Sequence, residues 1–323
     1  MKSKNTTIRQ ALSLVTLACT CSPVAIYAGS ATTADRIGST SEYSGWHYGT
    51  DNMDFFKGVG LHGIPIGELS YTALFDGDYS SLPGDVSAQE FSLLAPILPL
   101  SNGRLRLLVY LSYTATSFDT SVPNLLTEDT LHSLSVPVAL LYEHSDKWMF
   151  GGIVLPGLSG DLSSASDAFS FSAFAGFGYK AAPNLRWFGG VFYNDGFGDN
   201  LVIPGVGLMW NPSPDLAVTI LPPLAEINWR FQEDYLLTLF ARYASTTWNV
   251  NADSAGPARD ITMTSTRVGL RLERHLTERL WAQVSVGYAF GREMQIENLN
   301  NTTLQRDNID PAPFVQIGLN LRY

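Results

Sequence analysis

Between Arg279 and Gly291 the chain alternates with a period of two. Leu280, Ala282, Val284, Val286, Tyr288 and Phe290 fall on one face, and Trp281, Gln283, Ser285, Gly287 and Ala289 on the other. Such alternation describes a β-strand whose two faces meet different surroundings. It recurs: Phe169, Phe171, Ala173, Ala175, Phe177 and Tyr179 oppose Ser170, Ser172, Phe174, Gly176 and Gly178, while Leu105, Leu107, Val109, Leu111 and Tyr113 oppose Arg104, Arg106, Leu108, Tyr110 and Ser112. No helix of any length shows the 3.6-residue period.

Charge obeys the same phase. Arg104, Arg106, Arg186, Arg230, Arg242, Arg267, Arg271 and Arg322 all lie on the polar face of their strands. A lipid-facing Arg or Lys at mid-bilayer costs a barrel about 2–4 kcal/mol, so a membrane-facing surface must exclude them. A soluble β-sandwich also alternates, with its apolar face inward. Its solvated face carries Lys and Glu, whereas the polar faces here are rich in Gly, Ser and Thr. Arg292 shares the phase of Phe290, at a point where that strand is expected to leave the membrane.

The connections alternate in kind. Tight polar turns are expected at Ser101-Asn102-Gly103, Ser145-Asp146-Lys147, Ala182-Pro183-Asn184, Ser213-Pro214-Asp215, Gln232-Glu233-Asp234 and Thr277-Glu278-Arg279. Longer loops are expected between them, at Asp76–Ser87, Asp119–Thr130, Ser159–Asp167, Asp195–Asn200, Asn249–Arg259 and Glu293–Asn308. Short turns on one rim and long loops on the other are the layout of an outer-membrane barrel. The pattern yields an all-β fold: a transmembrane antiparallel β-barrel of about 12–14 strands over residues 63–323. The uncertain hairpin is Leu216–Ile220 with Ile227–Phe231, where Pro222 and Pro223 cannot donate ladder hydrogen bonds.

Composition agrees. The 323 residues are 45% hydrophobic and only 15% charged, yet no run of about 18 apolar residues exists to form a membrane helix. Lys2, Lys4 and Arg9, then an apolar stretch to Ile26 and small residues Ala28 to Ala31, have the layout of a signal peptide over 1–28, with a cut after Ala31 as the alternative. Residues 29–62 read as a polar N-terminal segment. Both cysteines, Cys19 and Cys21, lie in the leader, so the rest of the chain carries no disulfide. The formal net charge of −10 argues against nucleic acid as a partner.

The chain resembles bacterial outer-membrane β-barrel proteins, and specifically porin-like families without assigned activity. The resemblance rests on the leader, the hairpin series and the last strand, where Val315, Ile317, Leu319, Leu321 and Tyr323 alternate up to a terminal aromatic. It implies that these five residues are the signal read by the outer-membrane barrel assembly machinery. It places the protein in the outer membrane of a Gram-negative bacterium, among outer-membrane lipids and lipopolysaccharide.

For function the inward arginines matter most. A ring of Arg favours anions, so the expectation is a narrow passive channel for small solutes, with an anion preference. Its expected lining is Arg104, Arg106, Arg230, Arg242, Arg267 and Arg271, with Glu226 and Glu273. The alternative is a barrel plugged by ion pairs, acting as a scaffold, receptor or adhesin through its loops. An enzyme needs a nucleophile and base together. Of the five histidines, His132 is adjacent to Ser133 on opposite faces, and His144 and His275 sit beside turns. No catalytic residue, metal site or cofactor is therefore assigned.

Overall fold

The computed structural model describes residues 47–48, 54–56, 65–123, 125–126, 130–161, 168–195, 201–251, 257–277 and 279–322. The expected signal peptide over 1–28, most of the segment 29–62 and the terminal Tyr323 lie outside the described residues.

Fourteen antiparallel strands close into one barrel, at the upper end of the expected range. They are β1 (Pro65–Asp78), β2 (Asp85–Asn102), β3 (Leu105–Thr120), β4 (Thr130–Ser135 and Val138–Glu143), β5 (Trp148–Gly160), β6 (Phe169–Ala182) and β7 (Leu185–Asp195). There follow β8 (Leu201–Ser213), β9 (Leu216–Leu221), β10 (Leu224–Gln232), β11 (Tyr235–Val250), β12 (Arg259–Thr277), β13 (Leu280–Asn298) and β14 (Thr303–Ile309 and Ala312–Arg322). The two broken strands are interrupted at Val136-Pro137 and Asp310-Pro311, because proline has no N–H for the ladder. Strand β14 pairs with β1, from Phe314 opposite Leu74 to Leu321 opposite Gly67, so no edge is left at the chain ends.

The alternation sorts the side chains as expected. Val315, Ile317, Leu319 and Leu321 face outward and are exposed, while Asn320 and Arg322 turn inward and are buried. The expected loop at Glu293–Asn308 is corrected by the structure. There β13 runs on to Asn298 and β14 begins at Thr303, forming a hairpin. A β-bulge at Gly291 (φ 55°) shifts the phase by one, so Arg292, Met294 and Ile296 turn inward. Arg292 thus escapes lipid and donates to the carbonyls of Asp310 and Val86 at 3.1 and 3.2 Å.

The proline hairpin is real but short: β9 has six residues and β10 nine, joined by a tight turn on the long-loop side. Strand β11 pairs with β10 only as far as Arg242 opposite Leu224. Its upper end then crosses to β5, where Asn249 pairs with Gly160. Asp161 N donates to Asn249 O at 3.3 Å, and Asn251 N donates to the Asp161 carboxylate at 2.9 Å. A Cβ at Gly160 would collide with the Asn249 carbonyl, so only glycine permits this seam. The outer half is therefore pinched between β5 and β11, leaving the tops of β6–β8 to one side.

Candidate functional site

The interior is built in three levels. Nearest the long loops, Leu74, Val86, Phe118, Leu131, Trp248, Val250, Ile261, Met294, Ile296, Ile309 and Phe314 form an apolar core. They come from β1–β4 and β11–β14. This core fills the pinched part of the barrel with side chains of its own wall.

Below it lies a charged layer. Arg267 grips Glu90 with two hydrogen bonds of 2.6 and 2.5 Å. Arg271 pairs with Glu226 at 2.9 Å and Glu273 at 2.8 Å, and Arg322 donates to Glu273 at 2.5 Å. Gln283 donates to Glu68 at 3.1 Å and accepts from Asn320 at 3.0 Å. Arg242 stands opposite Arg267 across the β11–β12 ladder, where like charges repel unless countered. Glu68, Glu90 and Glu226 supply the counter-field. The layer thus holds four arginines (Arg242, Arg267, Arg271, Arg322) and four glutamates (Glu68, Glu90, Glu226, Glu273) among the described residues. Phe240 and Trp281 cap two of the guanidinium groups, Arg271 and Arg322, each at 5.7 Å.

The third level, towards the short turns, is filled from outside the wall. His47–Tyr48 pairs with Leu100–Ser101 at the end of β2, and the helical turn Asp54–Phe56 enters the barrel. Phe55 and Phe56 are 0% and 1% exposed, packed with Leu141, Met149, Phe188 and Met209. Burying a phenylalanine stabilises by about 1.5–3 kcal/mol, so hydrophobic packing is a large part of what holds this segment. Two polar contacts fix its position. Phe55 N donates to Glu143 Oε1 at 2.6 Å, and Arg186 Nε donates to Phe55 O at 2.5 Å, its guanidinium lying 5.6 Å from the Phe55 ring. The wall makes room with glycine: a Cβ on Gly178 would come within 2.6 Å of Phe55 Cζ.

The expected lining residues therefore separate. Arg242, Arg267, Arg271, Glu226 and Glu273 come together in the charged layer. Arg104, Arg106 and Arg230 lie at the short-turn rim: Arg104 donates to His144 O, Arg106 to the Gly103 and Leu105 carbonyls, and Arg230 to Asp215 and Pro214. Glu90, which shares the phase of Ala88 and Ser92, also points inward and offsets Arg267. The Phe55-Phe56 pair inside a polar stretch was the available signal for the plug. Nothing in the period of the strands identified its partners Glu143 and Arg186.

Residues 102–322 match the model of the family described as Domain of unknown function (DUF6268). The chain belongs to this family. No curated protein matches it. Among solved structures, this DUF6268 chain is similar to a Pseudomonas aeruginosa FadL homologue, with 10% identity over 79% of this chain and 89% of the other, at a TM-score of 0.44. It is also similar to the Pseudomonas putida toluene transporter TodX, with 12% identity, 82% and 90% coverage and a TM-score of 0.33. A third is the β domain of the Bordetella autotransporter BrkA, with 11% identity, 80% and 100% coverage and a TM-score of 0.35. At such scores no conclusion about activity follows from these likenesses. The barrel itself, closed and antiparallel with exposed apolar side chains on its outer face, stands on its own strand pairing and burial.

Proposed function

We propose that this DUF6268 barrel sits in the outer membrane, among its lipids and lipopolysaccharide, as a passive channel for small solutes that is closed in the state described. Assembly would use Val315, Ile317, Leu319, Leu321 and Tyr323 as the signal read by the barrel assembly machinery. The observation that carries the channel reading is the plug. A barrel meant only as a scaffold fills itself with wall side chains, as the outer half does here. On the β4–β8 side the filler is instead Phe55-Phe56, a segment outside the barrel strands, seated against Gly178 and held by reversible contacts to Glu143 and Arg186. Such a filler is removable without unfolding the wall.

Anion preference does not follow from the charged layer, whose arginines are matched by glutamates. Its potential at a passing ion is small, and single-residue charge changes there act on stability before selectivity. The second reading, a non-conducting scaffold, is favoured by the apolar core of the outer half. Planar-bilayer recording separates the two. The intact chain should be silent or rarely open, and the double variant Phe55→Ala/Phe56→Ala should show discrete conductance steps. A double variant that still folds, by its heat-dependent gel mobility, yet stays silent sinks the channel reading in favour of the scaffold.

A further inference from the structure

We propose that the interior between the charged layer and the plug is a binding chamber for small, uncharged, polyhydroxylated solutes. This rests on the channel reading and names its solute class.

One wall of the chamber is made of hydroxyls. Ser92 of β2 stands opposite Thr114 of β3, which stands opposite Ser133 of β4; one step further down, Ser112 stands opposite Ser135. All five share the inward phase of Phe118 and Leu131, so the register gathers their hydroxyls on one patch. Ser92 is the next inward residue after Glu90, so the patch adjoins the charged layer. Its other side leads to the plug. Below Ser112 the inward residues of β3 are Tyr110 and Leu108, and Leu108 packs on the cluster that holds Phe55 and Phe56.

There is room in front of this patch. The five hydroxyl residues are partly exposed, and the side chains of Arg267, Glu90 and Arg271 keep 17%, 21% and 20% of their surface open. Glu273, in a packed part of the same interior, keeps none. A side chain pointing inward from the middle of a closed barrel can be exposed only to space inside it.

The lining selects the solute. The pair Arg267–Glu90 reaches from β12 across to β2, and the matched arginines and glutamates leave little net field to favour a cation or an anion. An apolar solute would cover hydroxyl and ionic groups without pairing them, which costs affinity. Each hydroxyl offers one donor and two acceptor positions. The bonds Ser92–Thr114 at 3.3 Å and Ser133–Ser159 at 2.7 Å use only part of that capacity. A polyol matches the remainder. Its hydroxyls donate to Glu90, accept from Arg267 and Arg271, and do both with the serines and threonine, and it has no charge to desolvate. Further down β4 and β5, Ala139, Ile153 and Leu155, with Leu108 and Phe174 packed against them, offer an apolar surface to the C–H face of a ring.

Equilibrium dialysis with radiolabelled glucose tests this, using the full-length Phe55→Ala/Phe56→Ala chain in detergent. Saturable glucose binding is expected, with glutamate and lysine bound at least tenfold more weakly. Adding Ser112→Ala/Thr114→Val/Ser135→Ala should weaken glucose binding at least tenfold. Two variants guard against misfolding: Thr114→Ser, which keeps the hydroxyl, and Ser117→Ala, on the outward face of β3, should both bind as before. Absence of saturable glucose binding overturns the chamber. So does binding that the three hydroxyl substitutions leave intact, or equal binding of glutamate or lysine. Conductance of Phe55→Ala/Phe56→Ala is scored separately: steps without glucose binding retain the channel and sink the chamber, whereas hydroxyl-dependent glucose binding in a silent variant retains the chamber and sinks the channel.

Discussion

The two sides of this barrel solve the problem of a filled interior differently. From β11 through β14 and on to β3, the strands run long, 19 residues in both β12 and β13, and their inward faces supply the charged layer, Glu226 of β10 excepted, and the apolar core above it, to which β4 adds Leu131. From β6 to β10 the strands shorten to between 14 and 6 residues, the inward faces of β6 and β7 carry Gly176, Gly178, Gly190, Phe174, Phe188 and Phe192, and a separate segment does the filling. A wall that fills itself is bound to the barrel's own stability. A wall filled by a distant segment can lose its filler and stay a wall. The same molecule thus holds a structural half and a half suited to change.

Four measurements break or sharpen that contrast. The largest effect is expected for Glu273→Ala, which removes the buried carboxylate shared by Arg271 and Arg322 and leaves Glu226 as the ion-pair partner of Arg271. Removing one partner of a buried ion pair costs about 3–5 kcal/mol, read as a fall in unfolding free energy in detergent–urea titration. A loss below 1 kcal/mol would show that water reaches these groups and that the long-strand half is not packed shut. Next, Phe314→Ala should cost about 3 kcal/mol, near the lower end for a buried phenylalanine. In Phe55→Ala the loss of stability should be smaller, about 1–2 kcal/mol, because the truncated segment can leave the barrel instead of keeping a cavity. Its main effect should be conductance. Equal losses for Phe314→Ala and Phe55→Ala would mean that the plug is as structural as the core. The smallest effect belongs to Asp215→Ala at the exposed turn. Its pair with Arg230, at 2.8 Å, is open to solvent and should be worth under about 1 kcal/mol, diminishing with added salt.

Much of the long-strand half was legible in the chain. The arginines at 242, 267, 271 and 322 share one phase with Glu226 and Glu273, so their joint burial follows from a period of two. Glu90 obeys the same rule. The phase change at Gly291 was not legible, since a bulge depends on a backbone of positive φ that any nearby glycine could have adopted. The prolines at 222 and 223 marked a weak hairpin correctly. They did not show that β11 would abandon it and join β5, because that contact is made by residues 89 positions apart, Gly160 and Asn249. The Phe55–Glu143 and Phe55–Arg186 contacts span 88 and 131 positions and carry no local period.

The alternation alone determined that this chain forms strands with one lipid-compatible face, and the placement of arginine determined which face that is. These are local facts: each side chain's direction follows from its parity, and the cost of a charge in lipid follows from its position. What occupies the inside belonged to the tertiary structure. A filled lumen depends on which inward residues meet across the barrel, and the pinch at Gly160 and Asn249 depends on how far each neighbouring strand extends. Neither quantity is a property of any single strand.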